Sequence, residues 1–111
     1  MDTTNVFTMN RVPLSSGVSF SGVTGEQLMV THLHFEAGAV GAVHTHPHEQ
    51  LTVVLRGKIE FILGEERKML QPGDAVAIAG TIRHGVLALT SAEVLDIFTP
   101  IREDLAAKLN S

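Results

Sequence analysis

A chain of 111 residues with twelve acidic and eight basic side chains, formal net charge −4, has room for one hydrophobic core. Its Lys and Arg are scattered, so it lacks the basic face that a nucleic-acid or anionic-membrane partner requires. The absence of cysteine excludes disulfides and thiolate metal sites. No apolar run is long enough to span a bilayer, and the Met1–Pro13 stretch has no signal-peptide pattern, so a cytoplasmic protein is expected.

Residues 1–26 read as an N-terminal arm and early strands. Within them, residues 15–25 are rich in Ser and Gly, as in turns between short strands. No phosphate-cradling glycine spacing is present there. From Gln27 the period is two. Met29, Thr31, Leu33 and Phe35 alternate with Val30, His32 and His34, which predicts a strand with His32 and His34 on its exterior face, as surface or interface residues rather than metal ligands. Residues 36–41 read as a turn and 50–56 as a strand that is apolar on both faces. Gly57 breaks it, and 58–63 alternates again up to a hairpin turn at Gly64-Glu65-Glu66. Pro72-Gly73-Asp74 is a further turn, with strands at 75–79, 86–89 and 94–98. Many short strands with Gly and Pro punctuation predict an all-β sandwich or barrel over residues 27–99. A helix over 100–109 follows, with Pro100 in its first turn and Ile101, Leu105 and Leu109 on one stripe. The whole reads as a single domain.

Chemistry concentrates in His44-Thr45-His46-Pro47-His48-Glu49-Gln50. Residues two apart on an extended segment face the same side, so His44 and His46 can converge on one ion. Gln50 joins them if the chain bends at Pro47, and His48 shares the side of His46 only if the strand runs regularly through Pro47. A fourth ligand must come from elsewhere, and His84 is the only histidine in the second half of the chain. An H-x-H pair alone is weak evidence. The longer pattern, with Gly57 and a distant histidine after Pro-Gly-Asp, is more specific. Imidazole suits zinc, nickel, iron and copper, so ligand type does not choose the metal.

Gly38-x5-His44-x-His46-x3-Gln50-x6-Gly57 resembles the first cupin motif, G-x5-H-x-H-x3-E-x6-G, with Gln in place of Glu. Gly73-x5-Ala79-x-Thr81-x2-His84 resembles the second, G-x5-P-x-G-x2-H, with Ala79 for Pro and Thr81 for Gly. The resemblance implies a double-stranded β-helix, the cupin jelly-roll barrel. The string at 44–50, together with Asp96-Ile97-Phe98-Thr99-Pro100-Ile101-Arg102-Glu103-Asp104, more closely resembles the pectin-degradation (KdgF-like) proteins. These convert 4,5-unsaturated uronates, released by polysaccharide lyases, to the open-chain keto form. That likeness implies one divalent metal ion (nickel, zinc, iron or manganese) held by His44, His46, Gln50 and His84. It also implies a small anionic sugar substrate met by Asp96, Phe98 and Arg102.

The residues agree with these implications in part. A neutral Gln beside three neutral His leaves a divalent ion its full charge, which attracts carboxylates and strengthens it as a Lewis acid. Asp96 and Phe98 face one way; if that way is inward, burial raises the Asp96 pKa, a cation lowers it, and the group is a candidate for proton transfer. Arg102 could hold a uronate carboxylate, or simply pair with Glu103 or Asp104. A metal-dependent dioxygenase and a non-catalytic sugar-binding cupin are the competing functions. On residues 50–56, an inward Gln50 places Thr52 and Val54 inward and Leu51, Val53 and Leu55 outward. Either the early strands at 18–23 or a second copy must cover that aliphatic row, and a homodimer is expected.

Overall fold

Residues 1–110 are described by a computed structural model containing ten strands and one short helix. The strands are β1 (Val12–Ser15), β2 (Val18–Thr24), β3 (Met29–Phe35), β4 (Val40–His44), β5 (Glu49–Arg56), β6 (Ile59–Leu63), β7 (Glu66–Leu70), β8 (Ala75–Ile78), β9 (His84–Ala88) and β10 (Ala92–Thr99), followed by helix α1 (Glu103–Leu109). They form two antiparallel sheets, β1-β2-β3-β10-β5-β8 and β4-β9-β6-β7, in the arrangement of a cupin jelly roll. Phe20, Met29, Val54, Ile59, Ile78, Val94 and Phe98 are the largest fully buried apolar side chains of the core. No helix among the described residues is long and apolar enough to cross a membrane.

The strands with strong alternation lie where the pattern placed them. On β5, Gln50, Thr52 and Val54 are buried while Leu51 is 46% exposed, as the inward placement of Gln50 requires. Two strands carry no such signal. β4 is small and exposed apart from Gly41, and β7 is a polar edge strand with only Leu70 buried. Pairing with β9 and with β6 defines them, not their own periodicity.

Three expectations change. Residues 18–24 form one continuous strand rather than turns between short pieces. Its small residues serve close packing: Ser21 is fully buried, and a Cβ at Gly22 would meet the Val30 carbonyl oxygen at 2.8 Å. β1 and β2 extend the six-stranded sheet, with β3 and β10 between them and β5, so they do not fold over its outer face. The helix begins at Glu103, with Arg102 as its N-cap. Pro100 lies before it, after a cis Thr99–Pro100 bond, and Ile101 is outside the helix. Glu103 and Asp104 in the first turn and Lys108 in the last suit the helix dipole.

Candidate metal centre and cavity

The last residue of β4 and the first of β9 are register partners, His44 opposite His84. His46 sits in the bend between β4 and β5, and Gln50 is the second residue of β5. Ring centroids are 4.5 Å apart for His44 and His84, 4.8 Å for His46 and His84, and 5.4 Å for His44 and His46. One nitrogen from each ring lies within 4.8 Å of the other two. The Gln50 Oε1 is 2.9 Å from the His46 Nε2. The four residues singled out by the motif are thus brought together.

Backbone carbonyls fix the ring orientations. Nδ1 of His44 donates to Ala42 O at 2.8 Å, Nδ1 of His46 to His48 O at 3.2 Å, and Nδ1 of His84 to Ile82 O at 2.9 Å. A ring that gives its proton from Nδ1 keeps the Nε2 lone pair for the centre, the tautomer that metal-binding histidines use. Burial depresses the pKa of His46 and His84, which keeps them neutral. The His84 Nε2 is buried without a hydrogen-bond partner. A neutral His46 has one proton but faces two acceptor oxygens, those of His48 and Gln50. A divalent cation among these atoms resolves both features, so the donor set fits one.

Beside the centre the barrel encloses a cavity of about 450 Å³, within the range of small-molecule sites. Asp96 lines it from β10, opposite Thr52 of β5, and Phe98 lies opposite Gln50. Gln50 Nε2 donates to Thr52 Oγ1 at 2.9 Å, and Thr52 Oγ1 donates to Asp96 Oδ1 at 2.7 Å. Desolvation pushes the Asp96 carboxyl up to about 6, against the smaller opposing effects of Thr52, Arg102 and Gln50. Arg102 lies with its guanidinium carbon 5.3 Å from the Phe98 ring centroid. It forks onto Asp104, Nη2 to Oδ2 at 2.7 Å and Nε to Oδ1 at 3.3 Å, the local pairing anticipated for it. Arg102 holds the Asp104 carboxyl below its ordinary value. His48 is turned away from the centre, its Nε2 3.3 Å from Ile101 O, and so tethers the segment that carries Arg102.

The turn that delivers His84 docks on the bend that carries His46. Thr81 N donates to His46 O at 2.8 Å, and a Cβ on Gly80 would come within 2.5 Å of the Pro47 carbonyl oxygen. Thr81, where the second motif has glycine, adopts a left-handed φ of +72°.

His32 and His34 do lie on the outer face of the large sheet, but His32 is not an exterior residue. It is 0% exposed because the N-terminal arm covers it. Phe7 packs edge-on at 4.9 Å from its ring, and Ser21 Oγ donates to Val6 O at 2.8 Å. Its Nε2 is 2.9 Å from Glu93 Oε1, with the His34 Nε2 3.8 Å from the same oxygen and the Arg56 Nε 3.5 Å from Oε2. Three ligand-type residues therefore meet here as well. Arg56 on Glu93, and Arg11 acting on His34, supply positive charge that disfavours a cation at this cluster. It is better suited to fastening β3 to β10. Thr52 is the site residue to which the sequence assigned no part. Its only signal was a hydroxyl on the inward face, in line with Gln50.

Comparison with known proteins agrees with this geometry. The family described as "Cupin domain" matches residues 31–98. The pectin degradation protein KdgF of Dickeya dadantii (strain 3937) is 35% identical over 94 residues, covering 82% of this chain and 86% of that protein. The structure of KdgF from Halomonas sp. superposes with a TM-score of 0.85 at 32% identity, covering 89% of this chain and 93% of the other. An RmlC-like cupin from Shewanella frigidimarina NCIMB 400 superposes with a TM-score of 0.87 at 26% identity, covering 92% and 93%. Motif spacing, barrel topology and these likenesses agree, and the chain belongs to the cupin family, among the small cupins that resemble KdgF.

Proposed function

We propose that the protein is a metal-dependent isomerase that opens 4,5-unsaturated uronates from pectin or alginate breakdown to their keto form. The observation that carries this reading is geometric: a carboxyl, Asp96, in the wall of a mostly apolar cavity beside a His/Gln donor set, where desolvation raises its pKa. Its kinship with KdgF proteins supports the substrate class. Ring opening moves one proton overall. The anomeric hydroxyl loses its proton and becomes the carbonyl as the bond from the anomeric carbon to the ring oxygen breaks, and the resulting enolate takes a proton at C4 to give the ketone. A single carboxyl whose pKa is raised by burial can accept the first proton and return the second. In this reading Asp96 carries that shuttle from the cavity wall, with Thr52 donating to its Oδ1. Phe98 gives the ring an apolar wall. Arg102 receives the uronate carboxylate by exchanging Asp104 for it, both being bidentate acceptors. A divalent nickel, zinc, iron or manganese ion held by His44, His46, Gln50 and His84 would supply positive charge for the oxygens on which negative charge develops.

The test is conversion of an unsaturated uronate monomer, followed by loss of its conjugated alkene absorbance, before and after chelation. Turnover without oxygen uptake, abolished by chelation and restored by metal, is expected. Asp96→Asn should keep the metal and lose roughly 10²–10⁴-fold in rate. His44→Ala or His46→Ala should abolish stoichiometric metal in elemental analysis, while His32→Ala keeps it. A metal-loaded protein that leaves the uronate untouched would refute the isomerase and favour a binding role. Oxygen consumption would favour a dioxygenase.

A further inference from the structure

We infer that Thr52 is a positioning residue for the metal centre, because its hydroxyl determines which end of the Gln50 amide faces His46. The inference rests on the metal-centre reading above, not on the identity of the substrate. A glutamine amide has two ends of nearly equal size, and only the oxygen end can ligate a cation. Shape does not choose between them, so hydrogen bonding must. Thr52 has one hydroxyl proton. At 2.7 Å from Asp96 Oδ1 it gives that proton to the carboxylate, which in its ionised form only accepts. The hydroxyl oxygen is then an acceptor toward Gln50, and the amide end 2.9 Å away must be the NH₂. The oxygen is left at the other end, 2.9 Å from the His46 Nε2.

The Gln50 side chain also hydrogen-bonds Asp96, and a carboxylate that only accepts engages the same NH₂ end, so it acts in the same sense as Thr52. Thr52 is 1% and Gln50 4% exposed, so water does not offer the amide another partner. The three residues lie on β5 and β10, adjacent in the interior of the large sheet, with Thr52 directly opposite Asp96. The arrangement also fits the departure from the first cupin motif. A glutamate at this position has oxygen at both ends and needs no partner to orient it. A glutamine does, and Thr52 is the neighbour that supplies it.

The experiment uses metal-stripped full-length protein titrated with Co²⁺, whose visible absorption reports the coordination sphere. Thr52→Val, which keeps the shape and removes the hydroxyl, should weaken Co²⁺ binding by about 10–100-fold, as loss of an outer-sphere partner does, and should alter the absorption bands. Thr52→Ser should bind as the parent does. In a Gln50→Glu background, Thr52→Val should no longer weaken binding, an effect that a merely structural role of the methyl or hydroxyl would not produce. Circular dichroism checks the fold, and Thr52→Ala carries the same expectation if valine is not accommodated. Parent-like affinity and spectrum in Thr52→Val would overturn the assignment while leaving the metal centre standing. Failure of the parent to bind Co²⁺ would overturn both.

Discussion

Asp96 shows what a buried carboxyl costs the fold. Its carboxyl moves from 3.8 to about 6 because burial disfavours the charged form. Folding therefore favours the protonated acid. The stability associated with that acid is fully present below the unfolded value of 3.8 and is lost as the pH rises through about 6. The shift corresponds to at most roughly 3 kcal/mol. Asn at this position keeps an oxygen for the Thr52 hydroxyl and carries no charge. Metal-free Asp96→Asn should therefore be more stable than the parent by about 1–3 kcal/mol at pH 8, with the gain gone by pH 4. Urea unfolding at the two pH values measures this. A difference that stays constant between them would mean that Asp96 ionises as freely in the fold as in water.

Among the elements, the β8–β9 turn departs furthest from its family pattern, with Ala79 and Thr81 where the motif has Pro and Gly. The departure does not misplace His84, because register pairing of β9 with β4 sets His84 opposite His44 independently. The consequence is local strain instead. Thr81 sits at φ +72°, a region that a β-branched residue occupies at a cost of about 1–2 kcal/mol. Thr81→Gly should relieve it and stabilise the protein by roughly 1 kcal/mol, with metal content unchanged. A lower midpoint of denaturation in this variant would show that contacts of the Thr81 side chain outweigh the strain.

For the molecule as a whole, the outer face of β5 and β10 is the unfinished surface. Leu51 lies opposite Ile97 and Val53 opposite Leu95, and Leu51 is 46% exposed. The early strands extend the same sheet on the far side of β10 and do not cover it. Leu51 is exposed and Val53, Leu55, Leu95 and Ile97 are half-buried on this aliphatic face, and we propose that a second copy covers it in a symmetric homodimer, with Leu51, Val53 and Leu55 at or near the interface. Sedimentation at micromolar concentration should report a dimer, and Val53→Lys should dissociate it, since an unpaired ammonium is strongly disfavoured in an apolar interface. A parent monomer, or a Val53→Lys variant associated as firmly as the parent, would remove the proposal.

Local periodicity in the sequence was sufficient for the strong strands and for sorting β5 into two faces, because residue alternation is a property of one segment; that the Gln50 face is the inward one followed only from taking Gln50 as a ligand. Motif spacing likewise brought His44, His46, Gln50 and His84 together before any coordinates. What it could not supply depends on partners far along the chain. β4 and β7 are strands only because β9 and β6 pair with them. His32 is buried only because residues near Phe7 return over it. The helix starts at Glu103, three residues after the proline expected to open it. The Thr52 hydroxyl that links Gln50 to Asp96 donates to a residue 44 positions away. Hydrogen-bond direction and desolvation arise from such long-range contacts: the Gln50–Thr52–Asp96 chain exists only because β10 pairs with β5, and the pKa of Asp96 is raised only by its burial in the fold.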